Sequence, residues 1–502
     1  MIMAVNTRTQ EHKNIRTICF GTDGWRGIIA KDFTFENVRI VTQAIADYLK
    51  QIGDSRYGIG DKNSLLQSPI SHLSSVVIGY DNRFLSEKFA QEVAKVFAGN
   101  KINVIISQTS VTSPSVSFAC KKYDCLGVML TASHNPPIWN GLKLKMHYGG
   151  SVSEKVVDTI SQNLYKTDVK TGSDKIETVD ILTDYKEYLR SVVKLNPSAK
   201  LNRMKVVIDS MHGSGSGIFE QLLKNEKKII SIHNYREPLF SNMNPEPIEE
   251  NLAELKKVVV KNSADVGFAF DGDADRLGVI DDKGRYLPPH IVFPLILLYL
   301  TEYKKIKGKV VQTISLGYLS ERIAKKFSLP FEEVPVGFKY VCEKMLNEDV
   351  LLGGEESGGY GFTGGLLERD GILNALLIYE MLQKTKKKLS LLVDNLQKRF
   401  GKSYFLRRDI KLLKPIDKKI FIKDIEQKIC NNSDVNSRQF AFPIKEVRSY
   451  DGTKIIFEDG NWLLLRPSGT EPVLRIYSET ESITKTKKLV DLAEKICFNI
   501  LL

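Results

Sequence analysis

Three aspartates spaced two residues apart dominate the chemistry of this chain. The stretch VGFAFDGDADRLGVID begins at Val266, and its apolar start delivers Asp271, Asp273 and Asp275, with Arg276 directly after. In extended backbone, alternate side chains project to one side. The spacing therefore predicts three carboxylates sharing one site. Like charges held together need a cation, and hard oxygen ligands select Mg²⁺ or Ca²⁺ over soft metals. A calcium-binding EF-hand is excluded, because Arg276 and Asp282 stand where that loop needs a glycine and its final glutamate. Without a metal the same triplet is a solvated acidic turn.

A second polar stretch, TASHNPPIWNGLKLK, spans Thr131 to Lys145 behind the apolar run CLGVML. Ser133, His134 and Asn135 arrive in succession, and Pro136 and Pro137 stiffen the exit by fixing φ and removing backbone donors. A lone serine in such a turn reads as a strand cap. A serine hydrolase fits poorly, since the Gly-x-Ser-x-Gly frame is missing around Ser133. In an extended segment adjacent side chains also point oppositely, which turns His134 away from Ser133. LLLRPSGTEPVLRIY packs Arg466, Ser468, Gly469 and Thr470 into one tight turn. A guanidinium, two hydroxyls and exposed N–H groups suit a phosphate, although Pro-Ser-Gly also makes an ordinary turn. LLGGEESGGYGF sets Glu355, Glu356 and Ser357 between glycine pairs, either as partners for sugar hydroxyls or as a plain glycine loop. Arg26 in FGTDGWRGIIA and Lys339 in VPVGFKY each join a cation to a glycine turn, and either reads equally as a solvent-facing charge.

These loops need strands behind them. SVVIGYDNR, MKVVIDSMHGSGS and GKVVQTISLG are apolar, β-branched runs ending in Gly, Ser or Asp turns, each followed by an amphipathic stretch of helical period. Strands alternating with helices imply parallel sheets, whose carboxyl ends carry the ligand-binding loops. From about Gly401 the grammar changes. RRDIKLL, KEVRSYDGTKIIFEDGNWLLLRPSG and VLRIYSET read as antiparallel strands with Asp-Gly hairpin turns, closed by a final helix, TKKLVDLAEKICFNI. The expected class is α/β: three related α/β domains with mixed or parallel sheets, then a C-terminal α+β domain. The division expected is 1–180, 181–286, 287–400 and 401–502, with the polar stretch 52–75 as a surface insertion.

Composition narrows the function classes. At 502 residues, 42% hydrophobic and 26% charged, the chain reads as a soluble globular protein of several domains. No apolar run reaches the ~18 residues that span a bilayer, and IVFPLILLYL from Ile291, interrupted by a proline, reads as a buried helix. The N-terminal stretch shows no secretory h-region. Cysteines at 19, 120, 125, 342, 430 and 497 form no Cys-x-x-Cys pair, which argues against structural zinc and suits a reducing cytoplasm. A net charge of +12 raises nucleic acid as a partner. Yet KTKKK at 384–388 and KKVVVK at 256–261 lack interleaved aromatics and read as solvated helix faces, so a positive cleft for a phosphorylated small molecule is the better use of the charge. Gly-Lys-Ser at 401–403 is no Walker A motif, because Leu396 occupies the earlier glycine position. HGSGSGI fails the dinucleotide fingerprint at Ile218.

Five motifs in this order, on three α/β units and a terminal α+β unit, resemble the α-D-phosphohexomutases: phosphoglucomutases, phosphomannomutases and phosphoglucosamine mutases. TASHNPP with NGLK, and DGDADR, carry the likeness, which extends over nearly the whole chain. The resemblance implies four domains around a central active-site cleft and an intramolecular phosphotransferase. It implies a small-molecule sugar phosphate as substrate, while composition and motifs lead to the expectation of no nucleic-acid or membrane partner, a cytoplasmic location, and a monomer or small homo-oligomer. Ser133 is similar to the family's phosphoserine. Asp271, Asp273 and Asp275 resemble its Mg²⁺ ligands, with the phosphate on Ser133 completing the shell. Arg26 and Arg276 resemble its charge-stabilising arginines, Lys143 its general acid/base, and His134 the neighbouring active-site histidine. Of these two, Lys143 is the better candidate for moving the proton. Glu355 and Ser357 resemble the readers of sugar hydroxyls. Arg466, Ser468, Gly469 and Thr470 match the clamp for the non-reacting phosphate, with Lys339 as a further contact. A hexose 1,6-bisphosphate is implied as intermediate and activator. GEESGG with ERDG, and VGFK, point to glucose 1-phosphate and glucose 6-phosphate; Gly359 stands where bifunctional mannose/glucose enzymes carry a histidine. Mannose and glucosamine phosphates are the alternatives, and a non-catalytic sugar-phosphate sensor is the alternative of a different class.

Overall fold

Four sheets follow one another along the chain. The first takes β1 (Gly24–Ile28), β2 (Ser75–Tyr80), β3 (Asn103–Ser107), β4 (Leu126–Leu130), β5 (Trp139–Lys145) and β6 (Ile176–Val179) in the order β1-β5-β4-β2-β3-β6. The second takes β7 (Val206–Asp209), β8 (Ile229–Ile232), β9 (Val266–Phe270), β10 (Leu277–Asp281) and β11 (Tyr286–Leu287) in the order β11-β10-β9-β7-β8. The third takes β12 (Lys309–Thr313), β13 (Phe331–Val334), β14 (Val350–Gly354) and β15 (Tyr360–Phe362) in the order β13-β12-β14-β15. The fourth takes β16 (Tyr404–Lys411), β17 (Ile444–Arg448), β18 (Thr453–Phe457), β19 (Trp462–Pro467) and β20 (Val473–Thr480) in the order β16-β20-β19-β18-β17. This computed structural model describes residues 18–21, 24–53, 75–194, 204–223, 228–414, 416–430, 442–468 and 472–501.

The first three sheets repeat one plan. Each has a parallel core, β4-β2-β3-β6, β9-β7-β8 or β14-β12-β13. In each, a parallel strand then turns back into an antiparallel neighbour: β4 into β5, β9 into β10, β14 into β15. The three connections are the TASHNPP, DGDADR and EESGG loops, so the three chemical motifs occupy one topological position in three successive units. The strands that feed them, β4, β9 and β14, are buried along their whole length. That burial explains why they read as continuous apolar runs rather than alternating ones.

The fourth sheet is wholly antiparallel. Its hairpins turn at Asp451-Gly452 and Asp459-Gly460, where the glycines take φ of 107° and 80°, the left-handed region that favours glycine. The closing helix, Ile483–Leu501, packs on β20 and β16. One hydrophobic core runs through the second and third units and reaches Trp462, Leu464 and Tyr477 of the fourth, while the first and fourth units also carry cores of their own.

IVFPLILLYL lies in the buried helix Pro289–Glu302. Among the described residues no helix is long and apolar enough to cross a membrane. The lysines of KTKKK are not a helix face: helix Gly371–Thr385 ends inside the run, Lys386 takes the left-handed φ of 55°, and the next helix begins at Leu389. The run is a helix–helix turn, which suits charged residues because its backbone must face water. Of the insertion expected at 52–75, residues 52–53 end helix Phe35–Gly53 and Ser75 begins β2, while 54–74 lie outside the described residues.

Candidate active site

The serine loop leaves β4 and curls rather than extends. Ser133 takes φ 54°, a left-handed conformation, so the extended geometry expected from the sequence does not hold. The cause is Arg83, a fully buried side chain. Its Nη2 donates to the carbonyls of Ser133 and Asn135, both at 2.6 Å, and its Nη1 to those of Pro136 at 2.9 Å and Trp139 at 3.1 Å. Asp81 neutralises it at 3.3 Å and accepts from Thr131 Oγ1 at 2.6 Å, while Thr131 Oγ1 in turn accepts the Ser133 N–H at 2.8 Å. A buried guanidinium is tolerable only with its donors engaged, and here those donors shape the loop. The curl also brings His134 close: its Nδ1 lies 3.5 Å from Ser133 Oγ. The expectation that His134 turns away rested on extended backbone and is overturned with it.

The aspartate loop meets the serine across the unit boundary. Ser133 Oγ donates to Asp271 Oδ2 at 2.7 Å. A Cβ placed on Gly272 would come within 2.5 Å of the Ser133 carbonyl oxygen, so glycine is what permits the two loops to touch. The three carboxylates do converge, with ligand oxygens within 4.8 Å of one another. They do so on a turn, with Ala274 at φ 55°, not on the continuous strand that the alternate spacing suggested. Six residues separate β9 from its antiparallel return, and so short a reversal cannot stay extended.

Lys143, on β5 and fully buried, donates to Asp273 Oδ2 at 2.7 Å and Asp275 Oδ2 at 2.9 Å. Ser113 Oγ also donates to Asp273 Oδ2. Burial alone would lower the Lys143 pKa, but the Asp273 and Asp275 charges override it and hold the ammonium above the usual lysine range. Burial, reinforced by Asp275 and Asp273, pushes Asp271 well above the usual carboxylate range. His134 goes the other way: burial first, then the Arg276 and Arg26 charges, keep its imidazole neutral. Asp273 Oδ1 and Asp275 Oδ1 are buried and accept no hydrogen bond from any described residue. Two orphaned carboxylate oxygens beside Asp271 and a hydroxyl form an all-oxygen donor set, which fits a hard divalent cation.

The remaining predicted residues extend this centre. Arg26, on β1, donates from Nη1 to Asn135 Oδ1 at 2.8 Å, within the serine loop. The Arg276 N–H caps Asp271 Oδ1 at 3.0 Å, and its guanidinium lies 3.3 Å from Glu246 and 3.9 Å from Asp275. Glu355 is buried; its Oε1 accepts the Gly337 N–H at 3.1 Å and its Oε2 accepts Arg369 Nη1 at 2.9 Å. Ser357 Oγ is buried without a hydrogen-bond partner among the described residues. Lys339 pairs with Glu154 of the first unit at 2.5 Å. Arg466, on β19, donates from Nε to Asp451 Oδ2 at 3.0 Å, and the Ser468 N–H donates to the Val473 carbonyl at 2.8 Å. Gly469 and Thr470 lie outside the described residues.

A continuous polar chain joins the two ends. Asp451 Oδ2 accepts the Val336 N–H at 2.7 Å, the adjacent Gly337 N–H reaches Glu355, Arg369 links Glu355 to Asp275 at 2.8 Å, and Lys143 links Asp275 to Asp273. Each of the four units contributes to it.

Family comparison matches all four units. Phosphoglucomutase/phosphomannomutase domain I matches residues 62–170, domain II 183–284, domain III 288–400 and the C-terminal domain 427–495. The chain belongs to the phosphoglucomutase/phosphomannomutase family. A Thermococcus kodakarensis phosphoglucomutase/phosphomannomutase is 30% identical over 95% of this chain and 98% of its own length. A Methanobrevibacter smithii protein named a probable phosphoglucosamine mutase is 31% identical over 95% and 98%. A crystal structure from Thermus thermophilus, named as a phosphomannomutase, superposes with TM-score 0.80 at 30% identity, covering 96% of this chain and 99% of that one.

Within this member of the family, two residues central to the geometry escaped the sequence reading. Arg83 and Arg369 each look like an ordinary charge beside a turn. The available signal was position: YDNR ends a buried strand, and LERD immediately precedes a buried helix whose N-cap is Asp370.

Proposed function

We propose that this protein is a Mg²⁺-dependent phosphohexomutase that interconverts glucose 1-phosphate and glucose 6-phosphate through phosphorylated Ser133 and a hexose 1,6-bisphosphate. The observation that carries the reading is the contact of Ser133 Oγ with Asp271 at 2.7 Å inside a triad whose other two carboxylates each keep an oxygen free of hydrogen bonds among the described residues. Asp271, Asp273, Asp275 and the phosphate on Ser133 would hold the ion, which supplies charge neutralisation at the phosphoryl group.

The chain's own residues supply positioning and charge. Arg466, Ser468, Gly469 and Thr470, with Lys339, hold the phosphate that does not react. Glu355 and Ser357 meet the sugar hydroxyls, and Ser357 Oγ has no protein partner to give up. The phosphoryl group passes from Ser133 Oγ to the sugar 6-oxygen while the 6-hydroxyl proton is relayed to Ser133 Oγ; after the bisphosphate turns round, the 1-phosphoryl group returns to Ser133 Oγ and the serine proton is relayed to the sugar 1-oxygen. Arg26 and Arg276 offset the charge that moves. Lys143 is the acid/base for the serine and sugar oxygens. Held protonated before substrate arrives, it starts as the acid, and neutral His134 lies next to the same oxygen.

The glucose assignment is supported at Gly359. A Cβ there would come within 2.1 Å of Arg369 Cδ, so the arginine already fills the space a histidine would need. Glucosamine phosphate is the second reading, favoured by the name of the 31% identical relative. Coupled turnover of glucose 1-phosphate with Mg²⁺ and trace glucose 1,6-bisphosphate, in wild type and Ser133→Ala, tests the mechanism. Mannose and glucosamine phosphates run in parallel test the sugar. Full activity in Ser133→Ala would reject the phosphoserine route. Stoichiometric phosphate on Ser133 by intact mass separates an enzyme from a sugar-phosphate sensor.

A further inference from the structure

Beside Arg466 lies a second cation that the RPSG motif does not supply. Asp451, 3% exposed, lies in the turn between β17 and β18 and gathers donors from three places. Arg466 Nε reaches its Oδ2 at 3.0 Å from β19, and the Val336 N–H reaches the same oxygen at 2.7 Å from the VPVGFKY loop of the third unit. The ammonium of Lys418, the first residue of helix Lys418–Cys430, contacts Oδ1. Among the described residues two cations share one carboxylate, beside the buried Ser468, and burial with the Arg466 charge lowers the Lys418 pKa to about 8. Positive charge in excess of its partner is costly where water is scarce, and an arriving anion removes that cost. The Lys418 side chain is 31% exposed against 10% for Arg466. Its flexible stem can therefore swing from Asp451 toward a ligand, while the Val336 N–H stays on the carboxylate.

Building on the mutase reading, we infer that Lys418 is a further binding residue for the non-reacting phosphate of the hexose phosphate. It acts beside Arg466, and Asp451 holds both cations and the third-unit loop in register before substrate arrives. The two cations divide the work by their chemistry. Arg466 offers a planar fork that fixes phosphate orientation, whereas Lys418 offers a mobile point charge that tolerates either orientation of the sugar. A clamp that must accept the 1-phosphate in one half of the cycle and the 6-phosphate in the other needs both properties.

Calorimetric titration of glucose 6-phosphate and of inorganic phosphate into wild type, Lys418→Met, Lys418→Arg and Arg466→Met, beside steady-state turnover, tests the inference. Lys418→Met should weaken glucose 6-phosphate binding and raise KM by about tenfold, with kcat within about threefold, the pattern of lost uniform binding. Its melting temperature should match wild type, and Lys418→Arg should recover most of the affinity. Wild-type affinity in Lys418→Met overturns the inference. So does a loss of affinity that comes with a lowered melting temperature and is not recovered by Lys418→Arg. If wild type turns over no hexose phosphate, yet binds phosphate and loses that binding in Lys418→Met, the mutase reading falls and the anion site stands. If wild type binds neither phosphate, the site falls as well.

Discussion

The two ends of the site follow opposite electrostatic plans. At the transfer end, three buried aspartates face Lys143, Arg369 and Arg276, and Ser133, Lys143, Arg369 and Glu246 reach these groups from other loops or units. At the clamp end, Arg466 and Lys418 share the single carboxylate of Asp451. Acidic oxygens are left over at the first end and cationic charge at the second. The first arrangement suits a resident cation and a phosphoryl group that must be met at one fixed point. The second suits an anion that arrives, is released and returns reversed. Phosphoryl transfer asks a protein for positioning and charge stabilisation, and under the proposed function rigidity would lie where the bond changes and adaptability where the substrate is gripped.

The comparison breaks most visibly at Ser133. Ser133→Ala should lower turnover by on the order of a thousandfold or more, with an unchanged circular dichroism spectrum; a clamp variant should instead act mainly on KM. Arg83→Met comes next, because it leaves Asp81 buried without its cation. Urea unfolding should show a loss of about 3–5 kcal/mol, and a loss under about 1 kcal/mol would mean that Arg83 does not shape the serine loop. Metal linkage sharpens the contrast further. At a hundredfold excess over its Kd, Mg²⁺ should stabilise wild type by about 2.7 kcal/mol, read as a higher melting temperature. Asp273→Asn should abolish that rise and Arg466→Met should leave it intact. A wild-type melting temperature indifferent to Mg²⁺ would remove the metal from the first plan.

Smaller effects are expected at the sugar loop. Gly359→His must displace Arg369 and should cost about 1–3 kcal/mol of stability by overpacking, with glucose 1-phosphate turnover falling accordingly. Asp370 gives a pH signature. Burial raises its pKa from the ordinary carboxylate value to about 7. Below about pH 4 both folded and unfolded forms are protonated. Between there and pH 7 the folded form keeps a proton that the unfolded form has lost, so this contribution to stability declines as pH rises and levels off above 7. Asp370→Asn, which keeps the helix cap, should flatten that slope in melting curves taken across the range.

Much of this was legible before any fold was known. The aspartate triplet pointed to carboxylates sharing one site, and they do converge, while TASHNPP with NGLK pointed to Ser133 through its resemblance, and that serine does meet them. The change of grammar at about Gly401 marked the antiparallel unit, since Asp-Gly turns between alternating strands are a local signal. Local geometry was read less well. The Asp271–Asp275 loop and the Ser133 loop were both expected to be extended, and both curl. The aspartate loop bends because it must reverse within six residues, whereas the serine loop is held by Arg83, fifty residues before Ser133 in its reach to that carbonyl.

The sequence by itself determined which residue types are present, how the loops alternate with strands, and that acidic, hydroxyl and cationic motifs occur in a fixed order. Those are properties of neighbours, governed by backbone alternation, turn chemistry and solvation. Only the tertiary structure decided that Ser133 touches Asp271, that His134 faces the serine, that Arg369 fills the space above Gly359, and that Lys418 and Arg466 share Asp451. The first is a contact between units and the others lie within one unit, all of them set when three copies of one strand–loop–strand plan and an antiparallel cap pack together. No local rule sets them, because their distances depend on how whole sheets bury their apolar faces against one another.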